Sequence, residues 1–501
     1  MGWDQLIQGF GAFFSLNYIL ACFIGAFLGT VIGVLPGVGP TATMTLMLPF
    51  TLTQDATFGL IMLTGILCGA QYGGSTTSIL VNIPGEAVSV VTCLDGYQMT
   101  LKGRGGAALA LVAAGSFVAG TIGIIGTQIF APLLANLTLA FGPPEYFALL
   151  AMCFIILSNL SGDSPVKGSV MFALGWWLSS IGICPLDNVA RFTLGAHELT
   201  LGIEFMPVAV GLFGISEVIL TAMRPYTPPV LTKVRFQDLY PNRVEIKRSF
   251  LPIARGSILG FFVGLLPGPS AVISTFISYG IEKRLSKNPE EFGHGALEGV
   301  VGPESANNGA AVSHMIPLLT LGIPFNAPMA VLLAALIMHK VEPGPLLFQN
   351  SPQVFWTFIA ALYIGNVVLL ILNLPLVGFF ARIATTRPAI LLPFICTLCL
   401  FGVYSSRNNF FDVWVMIFSG IAGFVLRQAN YPVAPLVIGL ILGPMTENNL
   451  RKTLMMFRGN LSLFLDRPIA MAFLILALGF ILFKILYPFL RKRIANPSSA
   501  D

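Results

Sequence analysis

Two polar stretches interrupt an otherwise apolar chain, and they hold the side chains able to do chemistry. The first, Gln71-Tyr72-Gly73-Gly74-Ser75-Thr76-Thr77-Ser78-Ile79-Leu80-Val81-Asn82-Ile83-Pro84, sets four consecutive hydroxyls behind a double glycine. The second, Gly302-Pro303-Glu304-Ser305-Ala306-Asn307-Asn308-Gly309-Ala310-Ala311, sets a carboxyl beside paired amides. Hydroxyls, amides and freed backbone carbonyls coordinate Na+ and bond carboxylate oxygens without bringing a full charge into a membrane. Read as helix breaks, these stretches offer Ser75, Thr76, Thr77, Asn82, Asn307 and Asn308 as contacts for substrate or cation, with Na+ near Thr76 and Asn308. A carboxyl inside a membrane is a functional candidate by default, so Glu304, with Ser78, is a candidate for ion coupling. The competing role for Glu304 is a solvated residue at a helix start. His314 and Glu145 read as structural, the latter as a first-turn acid after Pro143-Pro144. Glu217 is a weaker candidate for an ion pathway.

A second pair of interruptions is made of proline and glycine. Leu35-Pro36-Gly37-Val38-Gly39-Pro40-Thr41 cannot continue a helix, because its prolines lack N–H groups and its glycines loosen the backbone. Leu265-Leu266-Pro267-Gly268-Pro269-Ser270 repeats the arrangement. Such backbone inside hydrocarbon must be buried in protein or line a water-filled cavity. A new helix is expected from Thr41, with its free N–H groups facing that cavity. Two helix N-termini, each equivalent to about half a positive charge, attract an anion. Pro36, Gly37, Pro267 and Gly268 are therefore expected to shape the site. Turns at the membrane surface are the alternative, against which the apolar flanks and the repetition speak.

The elements that must position these residues follow from composition. Of 501 residues 55% are hydrophobic and 10% charged, against roughly 25% charged in a soluble domain; the mean hydropathy is +0.83. That excludes a globular soluble enzyme. The apolar blocks approach the ~20 residues that cross a bilayer, so the expectation is an all-α polytopic membrane protein with about 11–12 transmembrane helices plus two re-entrant regions. The net charge of +5 resides in loops and implies no nucleic-acid partner. No basic residue precedes Lys102, so the first apolar block is expected to stay as a membrane helix. Cys396 and Cys399, inside an apolar run, read as packing residues. The chain holds no GxxxxGK[ST] and no HExxH, and its four histidines are scattered. ATP hydrolysis through a P-loop and zinc proteolysis have no residues here, so no enzyme activity and no cofactor are expected.

Internal repetition organises the chain. Gly33-Val34-Leu35-Pro36-Gly37 recurs as Gly264-Leu265-Leu266-Pro267-Gly268, and Asn82-Ile83-Pro84 is echoed by Gly322-Ile323-Pro324. Between them lies a polar, basic stretch, 224–248. Walking the charges from an N-terminus outside puts loop 84–105 and the 224–248 linker inside, loops 284–300 and 447–467 outside, and the Arg491-Lys492-Arg493 tail inside. The reading is two inverted repeats, as in many secondary transporters: residues 1–223 with a re-entrant region about 36–84, a cytoplasmic linker 224–248, residues 249–450 with a re-entrant region about 267–324, and a last helix with its basic tail over 451–501.

With GVLPGVGPTATMTLMLPFT (33–51), YGGSTTSILVNIPGE (72–86), GLLPGPSAVISTFISYGIEKRLSK (264–287) and GPESANNGAAVSHMIPLLTLGIPFNAPMAVLLAAL (302–336), the sequence resembles the large membrane subunit of the tripartite tricarboxylate transporters, the TctA family of bacteria. The resemblance covers essentially the whole chain; at His314 and Phe325 the family tends to have smaller residues. It implies a multi-pass protein of the bacterial inner membrane, N-terminus periplasmic and C-terminus cytoplasmic. It also implies a small TctB-like membrane partner, a TctC-like periplasmic binding protein that delivers a small carboxylate such as citrate, and transport driven by Na+ or H+. The rival from another class is a passive anion channel lined by the same breaks.

Overall fold

Apolar sequence of this kind folds as helices because in hydrocarbon each backbone N–H and C=O must find its partner within the chain. The computed structural model describes residues 3–35, 39–138, 140–160, 164–184, 188–223, 236–383 and 386–495. Pro36 and Gly37 thus lie outside the described residues. In chain order the helices are α1 Trp3–Phe13, α2 Leu16–Gly33, α3 Pro40–Thr51, α4 Ala56–Val81, α5 Val90–Leu101 and α6 Gly105–Thr138. Next come α7 Pro143–Leu160, α8 Pro165–Ser179, α9 His197–Thr200, α10 Phe205–Ala209 and, after a π-helical segment Val210–Ile215, α11 Ser216–Met223. The later part holds α12 Arg243–Gly264, α13 Ser270–Leu285, α14 Glu298–Ser313, α15 Met315–Leu321, α16 Ala327–Met338, α17 Pro345–Asn350 and α18 Pro352–Asn373. It ends with α19 Val377–Ile383, α20 Pro388–Arg407, α21 Phe410–Gln428, α22 Ala434–Met456 and α23 Pro468–Ala495. Among the described residues, seven helices are long and apolar enough to cross a membrane. The protein is an all-α, multi-pass membrane protein.

The chain divides into two compact units, Met1–Thr138 with Glu204–Gln428, and Leu139–Ile203 with Ala429–Asp501. The first is built on two close helix pairs. In α2, Gly25, Gly29 and Gly33 lie directly on the backbone of Met62, Ile66 and Ala70 of α4, where a Cβ would overlap a carbonyl oxygen. In α12, Gly256, Gly260 and Gly264 lie in the same way on Gly302, Ala306 and Ala310 of α14. Both are small-xxx-small seams, which let membrane helices approach to backbone contact. The order of contacts makes each pair parallel, so the intervening α3 and α13 run back. Tyr18 at the start of α2 hydrogen-bonds Asp55 at the start of α4 (3.2 Å). Arg255 of α12 likewise pairs with Glu282 of α13 (2.5 Å). α4 and α14 cross antiparallel: Ile79 and Leu80 pack with Val300 and Val301, while Ser75 meets Glu304. The α2/α4 pair therefore runs opposite to the α12/α14 pair.

This arrangement corrects the charge walk at one loop. Lys102 Nζ donates to the His294 carbonyl (2.6 Å), Arg104 Nε to Glu245 (2.8 Å), and Arg248 to both Glu298 (2.7 Å) and Glu291 (2.6 Å). Residues 102–104, 242–248 and 286–298 thus gather at one end of the unit, and 284–300 cannot face away from the linker. The reason is the break at 265–269, which turns α13 back toward the end from which α12 came. The Arg248–Glu291 bond also holds the Glu291 carboxyl below the usual carboxylate range.

A second correction concerns the polar stretches. Residues 71–81 are continuous helix and so are 302–313; only Asn82 and Gly322 break the backbone, at φ 58° and 69°, as left-handed C-caps of α4 and α15. The hydroxyls leave the helix intact because they bond back to its own carbonyls: Ser75 to Gln71 (3.0 Å), Thr76 to Tyr72 (3.2 Å), Thr77 to Gly74 (3.1 Å) and Ser78 to Gly74 (2.8 Å). Gly73 serves the seam, since α2 at Thr30 and Val34 lies against it.

The second unit packs α8 on α22, with Gly175 against the Leu436 backbone and Gly439 against Phe172. Phe154 of α7 covers Phe172 and Trp176 at ring distances of 4.0 and 5.4 Å. A two-residue ribbon, Gly182–Ile183 with Ala190–Arg191, carries Arg191 to Glu447 (2.7 Å). Glu145 accepts from the Gly142 N–H (2.8 Å), a helix-start acid in its ordinary role.

Candidate functional site

Four backbone breaks in the first unit converge on one cavity of about 160 Å³. Pro40 comes from the break before α3, Glu86 and Val88 from the one after α4, Gly268 and Pro269 from the one before α13, and Asn326 with Pro328 from the one after α15. The antiparallel α4 and α14 complete the wall with Gln71 and Leu67 on one side and Ala311 and His314 on the other. Two of these breaks are tied at its edge, where the Gly268 N–H donates to the Phe325 carbonyl (3.1 Å). Gly268 stands at φ 107°, a backbone state only glycine adopts without strain.

The electrostatics of this cavity come from helix ends. α3 starts at Pro40, α13 at Ser270 behind Pro269, and α16 at Ala327 behind Asn326, whose side chain caps Met329 (3.0 Å). Three helix N-termini thus abut the same space, each a partial positive charge. Among the described residues, no lysine or arginine lines the cavity. Its polar side chains are Gln71, Glu86, Asn326 and His314, and the Oε1 atoms of Gln71 and Glu86 are shut from solvent without a hydrogen-bond partner. His314 is fixed by Ser270, with Nε2 and Oγ 2.6 Å apart. The helix N-termini, the Gln71 amide N–H and the His314 imidazole can serve an anion here, while the unpartnered Oε1 atoms of Gln71 and Glu86 call for a hydrogen-bond donor or a cation.

One turn beyond Gln71 lies a second, sealed polar cluster. Glu304 is fully buried; its Oε2 meets Ser75 Oγ at 2.6 Å and its Oε1 meets Thr92 Oγ1. Asn308 Nδ2 donates to Ser116 (2.8 Å) and to the Glu304 carbonyl (3.0 Å), while buried Asn307 closes no hydrogen bond with either side-chain atom. Of the residues expected from sequence, Ser75, Glu304, Asn307 and Asn308 come together here, and Gly268 lines the cavity. Pro267 is half-buried beside it. Thr76, Thr77 and Ser78 are buried along α4, spent on its own carbonyls, and Asn82 is an exposed helix cap. Glu217 is paired with Arg427, which also caps the Leu212 carbonyl inside the π-helical segment (3.1 Å).

Sequence reasoning did not single out Gln71, Glu86, Thr92, Ser270 or Asn326. The repeat carried a signal for two of them. Glu86 follows Asn82-Ile83-Pro84 at the same position at which Asn326 follows Gly322-Ile323-Pro324, and both line the cavity.

Comparison with known proteins agrees with this architecture. Residues 19–438 match the family model described as the tripartite tricarboxylate transporter TctA family. The chain is 44% identical over 490 residues, 98% of its length and 97% of the relative's, to a protein of Agrobacterium vitis described as an uncharacterized 52.8 kDa protein in the TAR-I ttuC' 3' region. A second Agrobacterium vitis protein, described as lying in the TAR-II ttuC' 3' region, is 46% identical over 234 residues, covering 47% of this chain and 97% of that one. No solved structure matches. A multi-pass bundle whose residues 19–438 match one family model, this chain belongs to the tripartite tricarboxylate transporter TctA family.

Proposed function

We propose that the protein is the carrier subunit of a secondary transport system in the bacterial inner membrane, importing a small tri-, di- or aromatic carboxylate in symport with Na+ or H+. The observation that carries this reading is the cavity where four breaks and three helix N-termini meet with no lysine or arginine among the described residues that line it. Partial charges of helix ends attract a carboxylate yet leave it free to depart, which a carrier requires and a fixed arginine opposes. The opposed α2/α4 and α12/α14 pairs support the inference that the halves are inverted copies, with the site on their axis. A multivalent anion entering a negative interior is opposed by about 2.3 kcal/mol per charge per 100 mV. Cations must therefore travel with it, and the Glu304 cluster offers them oxygen ligands or a proton acceptor. A periplasmic binding protein would deliver the acid and a small membrane subunit complete the system, with the N-terminus periplasmic and the C-terminus cytoplasmic.

The test begins with mass-spectrometric identification of the acid held by the cognate binding protein. Uptake of that acid is then measured in proteoliposomes with each partner and each ion gradient present or omitted. Gln71→Ala and Ser270→Ala, with membrane expression confirmed, are expected to lower uptake at least tenfold, while Thr76→Ala has little effect because its hydroxyl serves α4. Flux that ignores the gradients and the binding protein makes the protein a passive channel and ends this reading.

A further inference from the structure

We infer that Glu304 stands in this conformation as a neutral carboxylic acid and is the group that carries the coupling proton. The inference rests on the carrier reading above and narrows its Na+ or H+ to H+.

The argument is a count of hydrogens. Ser75 has one hydroxyl proton but faces two acceptors, the Gln71 carbonyl at 3.0 Å and Glu304 Oε2 at 2.6 Å. If Glu304 were a carboxylate, Ser75 would give its one hydroxyl proton to Oε2 and the Gln71 carbonyl would keep only its helical N–H, so a fully buried charge would face just two neutral hydroxyl donors. With a proton on Oε2 every contact closes: Glu304 donates to Ser75, Ser75 donates to Gln71, and Thr92 donates to the remaining Oε1. The chain of donors then runs in one direction from Glu304 to the backbone of Gln71, the residue whose side chain lines the cavity.

The surroundings agree. An ionised carboxylate cut off from water is costly unless a cation or several donors compensate it. The groups that face Glu304 are Ser75 of α4, Thr92 and Cys93 of α5, Asn307 on its own helix, and the carboxyl of Glu86 from the break after α4. None is a cation. Glu86 is a second acid in the same low-dielectric region, and two such carboxyls do not both ionise without a counter-charge. His314 lies ten residues along the chain from Glu304, about 15 Å along a helical rise, and is engaged by Ser270. Release is simple in chemical terms: the O–H bond of Glu304 breaks, the electron pair stays on Oε2, and the proton passes to water in the cavity one turn away. The carboxylate left behind disfavours movement of the core until it is reprotonated, which links the two fluxes.

Infrared spectra of the full-length protein in lipid vesicles read the acid directly, without any carboxylate ligand. The wild type is expected to show the carbonyl stretch of a buried protonated carboxyl at neutral pH, shifted in D2O and unchanged by added NaCl. In Glu304→Gln that band is lost. In Thr92→Val, which removes only the donor to Oε1, it persists at higher frequency, so a folding defect in the first variant does not decide the matter. Identical wild-type and Glu304→Gln spectra, or a band that Na+ removes at constant pH, overturn the inference. In vesicles holding all three components, with citrate as the probe and Na+ equal on both sides, an imposed pH gradient is expected to stimulate uptake by the wild type. Glu304→Gln loses that stimulation, and equal stimulation of both refutes the coupling role. Because the infrared band needs no transport, failure of the carrier reading leaves it standing, and its loss leaves the carrier reading standing.

Discussion

Asp95 offers the sharpest test of how the Glu304 cluster is held. It is fully buried on α5, three residues after Thr92. Its Oδ1 accepts the N–H groups of Gly293 (2.8 Å), Gly295 (2.7 Å) and Ala296 (2.9 Å), and its Oδ2 accepts the Tyr279 hydroxyl (2.9 Å). Gly293 and Gly295 sit at φ 89° and 102°, which is how three donors within four residues can aim at one oxygen. The loop so gathered leads directly into α14, so Asp95 sets the placement of Thr92 against Glu304. Each bond to a charged acceptor is worth about 1.5–3 kcal/mol net, and they are not additive. Removing a buried charged partner typically costs about 3–5 kcal/mol, and that is the loss expected for Asp95→Ala. Asp95→Asn keeps one acceptor oxygen and loses the charge, for about 1–2 kcal/mol. Amide hydrogen exchange on the protein in lipid discs reads this locally. Opening of the 286–297 segment made easier by 3 kcal/mol speeds its exchange roughly 150-fold, and Asp95→Asn falls between. Exchange in Asp95→Ala within about threefold of wild type, less than 1 kcal/mol, would show that the loop is held by something else and refute the reasoning.

Three further outcomes follow from the packing and charges. Gly29→Leu and Gly260→Leu insert side chains into the backbone of Ile66 and Ala306; each is expected to cost about 3 kcal/mol or more and to lower folded yield alike. Gly280→Ala, with open space around it, gains about 0.5–1 kcal/mol; equal tolerance at all three positions contradicts the seams. Single cysteines at Arg243 and Glu290, in a background cleared of the others, are expected to react with an impermeant thiol reagent from the same side of the membrane, and one at Gln54 from the opposite side. Labelling of Glu290 and Gln54 together would restore the simple alternation of loops. Finally, Arg248 holds the Glu291 carboxyl below its ordinary range. The stability this contributes is present at neutral pH and is lost as pH falls below that range through the lowered value. Both side chains are about one-third exposed, so solvent screening limits the contribution to about 0.5–1 kcal/mol, less at high salt. Thermal midpoints of Glu291→Gln are expected to fall less steeply with acid than those of the wild type; parallel curves argue against the bond.

Much of this architecture was legible because it depends on local chemistry. Low charge and long apolar blocks lead to membrane helices whatever the tertiary contacts, and proline beside glycine ends a helix wherever it stands. The recurrence of Leu-Pro-Gly marked two places where one helix ends and the next begins, between α2 and α3 and between α12 and α13. What could not be read was which polar residues break a helix and which only decorate one. Gly73-Gly74-Ser75-Thr76-Thr77-Ser78 has the composition of a loop, yet Gly73 belongs to a seam with α2, Gly74 lies against 85–89, and the hydroxyls bond back along α4. Without knowing the partner helix, seam and loop look alike. The misplaced loop 284–300 has a related origin. A charge walk assumes that each apolar block crosses, whereas α13 returns, and only pairings such as Arg255 with Glu282 reveal it.

The repeat matters most where its two copies differ. At equivalent positions beyond the Ile-Pro pairs stand Glu86 and Asn326, an acid and an amide of similar reach. Where α4 and α14 cross, the acid is Glu304 of α14, and its hydrogen-bond partners, Ser75 of α4 and Thr92 of α5, come from the earlier part of the chain. The helix ends are shared between the halves, so attraction for an anion is common to both. The titratable groups are not shared: one wall of the cavity brings Glu86, and the cluster behind it brings Glu304. On the proposed carrier reading, helix ends from both parts of the chain cradle the cargo, while Glu86 and Glu304 make its occupancy depend on a cation. Neutralising the unmatched acid tests this division. Glu86→Gln leaves the helix ends and Asn326 in place, so it is expected to alter the ion dependence of binding more than the affinity measured when that ion is saturating. An affinity loss of tenfold or more, independent of ion, would instead make Glu86 part of the cradle itself.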